Sequence, residues 1–527
     1  MASAAASLRG GFPGALGPAA SGVEYGFRRG ILTFAIVLAT VLEIIDVTIV
    51  NVALPNIEGN FGANLDQAAW IGTGYIIANV IVIPITPWLQ MRFGRTQYYA
   101  ASIVLFTFAS MMCGLSQSLE QLIFWRIVQG LGGGGLVSTS QAILRQIFPK
   151  SEQGKAAGYF SMGVVVAPMA GPFLGGFITD NLSWRWAFFV NLPLGLLATI
   201  LVLAFLKNQV EPRKLPLDGI GLGLLAVGIG SLQYVLDQGQ QKDWFHESSI
   251  VVCAVLALAG LIAFVLWELR SRKPIVDLSI VRYRSVAAGS VLGLVLGISL
   301  YGSVLMLPQY VQNVLGFTAT LSGELLVIRT IPVVILTPIA AFFASRGLVD
   351  TRWQIGLGFF LVGISNLMLA QVTTTDTSFW TLFWALVVGG AGLSQIFVPL
   401  SITVLGSPAP QDIPAASALF NLARQIGGSI AIAALVTILA RSNAAYHERL
   451  AAQVKLNSPA VAAYLQRSGG EHSVAARATL DRLVDRQASV LAYADTSRAT
   501  AYITLALTPL VLLLRRPKAD GVPVPAE

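Results

Sequence analysis

Polar and charged side chains inside long apolar stretches are the residues of this sequence that could do chemistry. Glu43 and Asp46 lie three positions apart in ATVLEIIDVTIVNVALP, so a helix would place both carboxylates on one face. Arg126 and Gln129 in LIFWRIVQG have the same spacing. A charge in hydrocarbon costs ~2.5–3.5 kcal/mol on insertion scales, so a retained one normally faces a cavity or a partner. These residues are therefore candidates for ion pairing and proton binding.

Asp46 and Arg126 are predicted to lie at similar depth and to pair. At about 1.5 Å per helical residue, Asp46 lies roughly 12 Å below the outer end of its helix, and Arg126 roughly 9 Å below the outer end of its own. Pairing would lower both insertion costs and leave a carboxylate whose protonation depends on its partner and on water. Glu43 has three open interpretations: a second proton site, a counter-charge for cationic substrates, or a structural role.

Other polar and aromatic residues in the apolar stretches also have open interpretations. Asn421, Arg424 and Gln425 in LFNLARQIGGS form either an interhelical hydrogen-bond cluster or the polar lining of a substrate cavity. Arg329 and Glu324 are expected near the outer surface, where snorkelling accounts for their charge. Six aromatic residues are candidates to line an apolar cavity, although most of them are expected at lipid-facing or interfacial positions: Trp70, Tyr75, Phe106, Trp125, Tyr301 and Tyr310.

Membrane-spanning helices must position these side chains. The 527-residue chain is 55% hydrophobic and 11% charged, with a mean hydropathy of +0.71, whereas soluble domains carry about a quarter charged residues. Its apolar runs are long enough to cross ~30 Å of hydrocarbon as helices, and they lack the alternation of a transmembrane β-barrel. Fourteen spans are predicted, near residues 30–55, 67–90, 98–117, 121–142, 155–180, 185–206, 216–236, 249–268, 284–308, 321–344, 353–372, 378–405, 412–440 and 490–514.

Basic residues mark the predicted orientation. Lys and Arg concentrate in alternate short loops, and an even number of spans then predicts that both termini are cytoplasmic. The net charge of +8 comes from these loops rather than from one soluble face, so no nucleic-acid partner is predicted. Residues 1–29 and 515–527 are expected to be cytoplasmic tails, the first of them disordered. The outer loop 441–487 contains amphipathic segments that would either dock a partner or form a solvated insertion.

The stretch FWRIVQGLGGGGLV fits the dinucleotide-binding spacing G-x-G-x-x-G at Gly130, Gly132 and Gly135. A dinucleotide loop follows a strand in a βαβ unit, and the sequence shows no such alternation. The glycines are therefore predicted to let neighbouring helices approach closely. No ATP-binding G-x-x-x-x-G-K-[ST] motif occurs, and Cys113 and Cys253 fall in apolar runs. We therefore predict no catalytic residue, no metal and no cofactor, with energy from a gradient or from another subunit.

Several motifs together resemble the major facilitator superfamily, and specifically its fourteen-helix drug:proton antiporters of the EmrB/QacA type. Asp46 stands in IIDVTIVNVALP, which is similar to the family's first-helix motif. The fourth-helix motif R-x-x-Q-G-x-G-G is present at Arg126, Gln129, Gly130, Gly132 and Gly133. The antiporter motif is present as APMAGPFLGG, with Ala167, Pro168, Gly171, Pro172, Gly175 and Gly176. The similarity covers nearly the whole chain, including LDQGQQKDWF, LPQYVQNVLGFTA and FNLARQIGGSIAIA.

One family motif is degraded. The cytoplasmic loop signature G-x-x-x-D-R-x-G-R reads PWLQMRFGR here, which retains Arg92, Gly94 and Arg95. Pro87 replaces the first glycine, and Met91 replaces the acidic residue. The charge-relay role of that acid therefore does not carry over, and gating by this loop is in question. Its basic residues remain able to cap a helix end or to anchor to lipid.

The resemblance implies an all-α integral membrane protein with the major facilitator fold. Two six-helix bundles, 30–206 and 271–514, would be related by pseudo-symmetry, with two transmembrane helices inserted between them at 207–270. Substrate would bind near the midplane, and rocking of the bundles would alternate its access. Asp46 and Arg126 would carry the proton cycle. The antiporter motif would kink the fifth helix and pack it tightly against its counterpart in the other bundle.

The implied function is proton-coupled export of amphipathic or lipophilic toxic compounds across an inner membrane. Dedicated export of one compound, such as a fatty acid, a siderophore or an antibiotic, is the alternative within this class. A non-transporting scaffold or receptor would not need the buried charges, and the antiporter motif disfavours an uptake permease. The expected partners are lipophilic substrates and membrane lipid. Resemblance to two-membrane bacterial systems adds a periplasmic adaptor and an outer-membrane channel.

Overall fold

The computed structural model describes residues 24–207, 212, 216–271, 274–454, 461, 463, 464, 466 and 474–514. The predicted tail 515–527 and most of the predicted tail 1–29 lie outside these residues. The described chain is helical throughout and contains no strand.

The first half of the chain forms eight helices. They are α1 (Gly26–Phe61), α2 (Leu65–Phe93), α3 (Arg95–Leu115), α4 (Leu119–Gly133), α5 (Leu136–Ile147), α6 (Gln153–Asn181), α7 (Trp186–Phe189) and α8 (Asn191–Phe205). The second half adds α9 (Gly219–Gln238), α10 (Ser248–Arg270), α11 (Arg284–Asn313), α12 (Ala319–Arg346), α13 (Thr351–Val372), α14 (Phe379–Gly406), α15 (Ile413–Gln453) and α16 (Val474–Leu507).

Thirteen helices of the described chain are long and apolar enough to cross a membrane. The predicted span 121–142 corresponds to two shorter helices, α4 and α5, which follow one another with only a two-residue interruption. The prediction of an all-helical membrane protein is therefore confirmed. The number of fourteen crossings is consistent with these helices when α4 and α5 are taken as one broken span.

The helices pack as two bundles with an inserted pair. In the first bundle, α1 packs on α5, α6 and α8, while α4 packs on α2 and α3; in the second, α11 packs on α15 and α13 packs on α14 and α16. The inserted helices α9 and α10 pack on each other, and α9 also packs on α2. The bundles meet where α6 packs on α12 and where α15 packs on α2 and α5. We call the end of the molecule where α1 begins the near face, and the opposite end the far face.

Glycines allow the close packing of α4 and α5 against their neighbours. A Cβ at Gly130 would overlap the backbone oxygen of Tyr75 in α2, and a Cβ at Gly132 would lie 2.7 Å from the backbone nitrogen of Phe106 in α3. A Cβ at Gly134, in the break between α4 and α5, would overlap the backbone oxygen of Asn79. The prediction that this glycine-rich stretch serves helix packing is confirmed.

The antiporter motif packs differently from the prediction. Pro168 and Pro172 lie inside α6, and a Cβ at Gly171 would overlap the Thr48 hydroxyl of α1. A Cβ at Gly175 would lie 3.1 Å from Val52, also in α1. These glycines therefore pack α6 on α1 rather than on its counterpart.

Contact between α6 and its counterpart α12 relies on a different glycine. Gly323 of α12 faces α6, where a Cβ would lie 2.6 Å from the Cα of Phe173. Ala167 and Gly176, the outermost residues of the motif, are buried in α6. Because α6 presents one face to α1 and another to α12, residues of the motif pack against both helices.

The predicted outer loop 441–487 is largely a continuation of two spanning helices. Helix α15 contains 41 residues and runs to Gln453, and α16 begins at Val474. At about 1.5 Å per residue, α15 is roughly 60 Å long, twice the thickness of the hydrocarbon core. The predicted amphipathic segments are helical where the structure describes them, because Ala, Glu, Arg and Leu continue to favour helix after the hydropathy falls.

Candidate proton-coupling site

A buried ion pair joins α1 to α4. Arg126 Nη1 lies 2.5 Å from Asp46 Oδ2, and the side chains are 1% and 0% exposed. The pairing predicted from depth is thus present. Two opposite charges this close neutralise each other where no solvent reaches them, which is how a membrane protein tolerates both.

The carboxylate of Asp46 has hydrogen-bond donors on both oxygens. Oδ2 accepts from Arg126, while Oδ1 accepts from Gln129 Nε2 at 2.8 Å and from Asn191 Nδ2 at 2.7 Å. Asn191, at the start of α8, is held in turn by a 3.0 Å bond to the hydroxyl of Ser110 in α3. Four helices of the first bundle therefore converge on one carboxylate.

The guanidinium of Arg126 is held on several sides. Its Nε donates to the backbone oxygen of Ile71 at 3.1 Å, and Nη1 also donates to Gln129 Oε1 at 2.8 Å. The ring of Tyr75 stacks on the guanidinium, 4.2 Å from ring centre to Cζ. A planar group fixed by a carboxylate, an amide, a backbone oxygen and an aromatic face has little freedom to rotate.

Glu43 occupies a different environment one helical turn away. Its Oε1 accepts from Asn79 Nδ2 at 2.9 Å and from the Tyr75 hydroxyl at 3.4 Å, and the side chain is buried. Within the described chain, no Lys, Arg or His lies within ion-pair distance of Glu43. Asp46 thus has a cationic partner and Glu43 has neutral ones, although both lie on the same face of α1.

Tyr75 connects the two carboxylate environments. Its ring contacts Arg126, and its hydroxyl points to Glu43. Asn79, one turn further along α2, lies 3.5 Å from the same hydroxyl. A change in charge at Asp46 or at Glu43 therefore affects the surroundings of the other carboxylate through Tyr75.

The cluster around Arg424 lies at the contact between bundles. Asn421 Nδ2 donates to Gln141 Oε1 of α5 at 2.7 Å, and Arg424 contacts the Tyr301 hydroxyl at 3.3 Å and Asn421 Oδ1 at 3.4 Å. Gln425 is only partly buried. The interhelical hydrogen-bond interpretation is supported, with the addition that the bonds cross from one bundle to the other.

The degraded loop motif makes its contacts within the first bundle. Arg95 donates to Gln90 Oε1 at 3.0 Å and to Gln146 Oε1, and Arg92 lies beside the ring of Phe93. Gly94, between α2 and α3, has φ +84°, a value that favours glycine. Arg95 therefore joins α3 to α2 and α5 at the near face of the first bundle, whereas Arg92 contacts its neighbour in α2.

Arg329 differs from its predicted environment. It is 1% exposed, and its Nε and Nη2 have no hydrogen-bond partner in the described chain, whereas Glu324 is exposed. The snorkelling interpretation is wrong for Arg329, because at about 1.5 Å per residue it lies roughly 15 Å inside α12, which begins at Ala319. A Cβ at Gly389 would lie 3.5 Å from Arg329 Nε, which places the guanidinium against α14.

Half of the singled-out aromatic residues also lie inside the protein. Tyr75, Phe106 and Tyr310 are buried, whereas Trp70 is exposed and Trp125 and Tyr301 are partly exposed. Hydropathy alone cannot separate a ring facing lipid from a ring facing another helix, because both surroundings are apolar.

Sequence reasoning missed several polar residues of the site, namely Asn191, Ser110, Asn79 and Gln141. Each is a neutral hydrogen-bonding side chain in an apolar segment, which was the available signal. Neutral groups cost less to bury than charges, so their presence alone predicts little. Across the described residues, no group of three or more His, Cys, Asp or Glu is arranged to hold a metal, and both cysteines are free.

Two packed helical bundles with an ion pair buried inside one of them define the class of multi-span membrane transporters. A profile of the Major Facilitator Superfamily matches residues 36–432. The chain belongs to this superfamily and, within it, to the EmrB type, as its relatives show.

Similar proteins match over most of their length. The multidrug export protein EmrB of Escherichia coli is 34% identical over 94% of this chain and 97% of its own. EmrB of Haemophilus influenzae is 36% identical over 81% and 84%, and the fatty acid resistance protein FarB of Neisseria gonorrhoeae is 32% identical over 93% and 97%.

Solved structures share the fold at low identity. The human organic anion transporter MFSD10 matches with a TM-score of 0.57 and 11% identity, covering 90% of this chain and 99% of that one. A peptide transporter POT matches with a TM-score of 0.57 and 16% identity, covering 94% and 98%.

Proposed function

We propose that the protein is a proton-coupled antiporter that exports amphipathic or lipophilic compounds by alternating access. The observation that carries this proposal is the solvent-excluded pair of Asp46 and Arg126, bonded to polar groups of α2, α4 and α8. A protein with only a structural role does not need such a pair in hydrocarbon. Similarity to proteins named multidrug export proteins supports the direction and substrate class.

Protonation of Asp46 would change the forces within the site. The neutral acid no longer attracts Arg126 as a charge, and the oxygen that takes the proton becomes a donor. Either the bond from Arg126 to Oδ2 or the bonds from Gln129 and Asn191 to Oδ1 must therefore rearrange. Because those bonds join α1 to α4 and α8, the helix arrangement depends on the proton. A proton moving through 100 mV supplies about 2.3 kcal/mol, and a pH gradient adds to this. No further cofactor is required in this scheme.

Glu43 is proposed as a second titratable group of the cycle, with a counter-charge for cationic substrates as its alternative role. Its hydrogen-bond partners, Asn79 and Tyr75, are neutral, so its charge has no directly bonded cationic partner in the described chain. A group of this kind binds a cation or a proton when water reaches it. Contact with Tyr75 links its state to that of Arg126.

Dedicated export of an anionic lipid such as a fatty acid is the second candidate. Arg424 is buried near the bundle contact, and its Nε has no hydrogen-bond partner in the described chain. An unsatisfied guanidinium favours a carboxylate. The similarity to FarB is the supporting comparison.

The extended helices α15 and α16 are proposed to dock a periplasmic adaptor that leads to an outer-membrane channel. Beyond the membrane they are joined by polar contacts: Tyr446 donates to Asp495 at 2.8 Å, and His447 lies 3.4 Å from Asp481. Arg486 donates to the backbone oxygens of Val314 and Thr375 and so fastens the extension to the far face. This proposal includes an inner-membrane location with cytoplasmic termini, which agrees with the basic loops.

Transport into inside-out membrane vesicles tests the proposed function. An imposed pH gradient, acid inside, is expected to drive uptake of a labelled substrate chosen from lipophilic cations, neutral drugs and long-chain fatty acids. A protonophore and the Asp46→Asn variant should each abolish the uptake. Uptake that persists without a gradient would contradict proton coupling, and uptake of fatty acids alone would select the second candidate.

A further inference from the structure

Gln141 of α5 is the centre of a hydrogen-bond cluster between the bundles. Its Nε2 donates to Ser401 Oγ of α14 at 3.2 Å, and its Oε1 accepts from Ser417 Oγ at 2.8 Å and from Asn421 Nδ2 at 2.7 Å, both in α15. Ser417 Oγ also donates to the backbone oxygen of Ser138 at 2.9 Å. All five residues are buried. One amide side chain therefore binds two helices of the opposite bundle.

The cluster lies toward the near face, where apolar side chains close the gap between the bundles. Leu144 and Phe160 of the first bundle and Leu405 of the second line the space beside Gln141, and all three are buried. Gln141 itself is buried, so its hydrogen bonds are shielded from bulk solvent. Separating the bundles at this face requires Gln141 to lose these partners.

The family's loop signature does not provide this connection. Arg95 bonds to Gln90 and Gln146, which belong to the same bundle, and Met91 replaces the acidic residue. Gln141 lies in α5 and bonds directly to the other bundle. The near face thus has a neutral hydrogen-bonded connection in the region where the motif would have placed a charge.

We propose that Gln141 is a positioning residue of the transport cycle, whose hydrogen bonds to Ser401, Ser417 and Asn421 hold the near face closed and must be exchanged for it to open. The proposal rests on the alternating access of the proposed function. Asn421 also contacts Arg424, so release of Gln141 changes the surroundings of that guanidinium. The break between α4 and α5 separates Gln141 from Arg126, which allows the two to move independently.

Cysteine reactivity in the purified protein tests this proposal without a substrate. The background carries Cys253→Ala and Leu405→Cys, and Cys113, which is buried in the first bundle, serves as an internal control for loosening of the fold. A water-soluble maleimide is added in detergent, and each site is followed by mass spectrometry. Gln141→Leu, which keeps side-chain volume, is expected to accelerate labelling at position 405 about tenfold and to leave Cys113 unchanged. Ser401→Ala, which removes one bond, should give a smaller acceleration.

Gln90→Leu is the matched control. Gln90 is also a buried glutamine, but it bonds to Thr139 and Arg95 of its own bundle. Its replacement should leave the ratio of labelling rates unchanged. The proposal is overturned by an unchanged rate at position 405 in Gln141→Leu, by equal acceleration at both cysteines, or by the same change in Gln90→Leu. None of these outcomes depends on proton coupling, so failure here is distinguishable from failure of the proposed function.

Discussion

Asp46 and Glu43 show how two carboxylates on one helix face acquire different chemistry from their neighbours. Asp46 has a guanidinium and two amides, whereas Glu43 has an amide and a phenol. The charge of Asp46 is compensated by its cationic partner, whereas the groups that hydrogen-bond to Glu43 are neutral. The surroundings therefore assign the two acids different parts in a proton cycle.

Replacing one member of the ion pair should lower the stability of the protein more than replacing both members. Arg126→Leu leaves Asp46 buried without its counter-charge, at a cost of about 3–5 kcal/mol, whereas replacing both members by apolar residues is often near neutral. We expect Arg126→Leu to lower the melting temperature in detergent. The double variant with Asp46→Leu should recover most of that loss and remain inactive in transport. A double variant that transports would contradict the assigned role.

The ring and the hydroxyl of Tyr75 should have separable roles. Tyr75→Phe keeps the ring on Arg126 and removes only the hydroxyl that faces Glu43, so we expect normal thermal stability and altered pH dependence of transport. Tyr75→Leu removes the ring as well and should lower both stability and transport. Identical behaviour of the two variants in melting and transport assays would show that the hydroxyl, and not the ring, matters.

At the scale of helices, close approach of α6 to α1 depends on the absence of side chains. A Cβ at Gly171 would overlap Thr48, so Gly171→Ala is expected to destabilise the protein by about 1–3 kcal/mol, which a melting curve in detergent detects. Gly72→Ala in α2 is the control, because nothing lies within 4 Å of its added Cβ. Equal melting temperatures for the two variants would contradict this packing account.

The positions of the helices and the central ion pair could be predicted from sequence. A helix needs a long apolar run to span a bilayer, and a charge buried in it costs free energy unless it has a partner or a function. The depth of Asp46 and Arg126 follows from the rise per residue along straight helices. Rotation about a helix axis is harder to predict, since hydropathy is similar on the lipid-facing and protein-facing sides. Arg329 was assigned to the membrane surface because its depth was underestimated, since it lies about 15 Å inside α12 and is buried in the second bundle.

Helix continuity could not be predicted either. The break at Gly134 and Gly135 depends on tertiary packing rather than on local propensity. Glycine permits a break without requiring one. Neutral site residues such as Asn191 could not be singled out from the sequence, because a buried amide is tolerated wherever a hydrogen-bond partner is available.

For the whole molecule, the docking role proposed for the extension of α15 and α16 can be tested separately from transport. Replacing residues 450–480 with a short Gly/Ser linker retains the contacts of Tyr446 and Arg486. We expect this variant to transport normally in proteoliposomes and to lose resistance in cells with two membranes. A melting temperature close to that of the native chain is the control. Retained cellular resistance would contradict the docking role.

Substrate-induced proton release in proteoliposomes that contain a pH-sensitive dye tests the central claim most directly. The native chain is compared with Asp46→Asn and with Glu43→Gln while lipophilic cations, neutral drugs and fatty acids are added in turn. The account predicts that at least one compound releases protons from the native chain and that Asp46→Asn abolishes the release. If Asp46→Asn couples as well as the native chain, Asp46 is a structural partner of Arg126, and the site of proton coupling lies elsewhere.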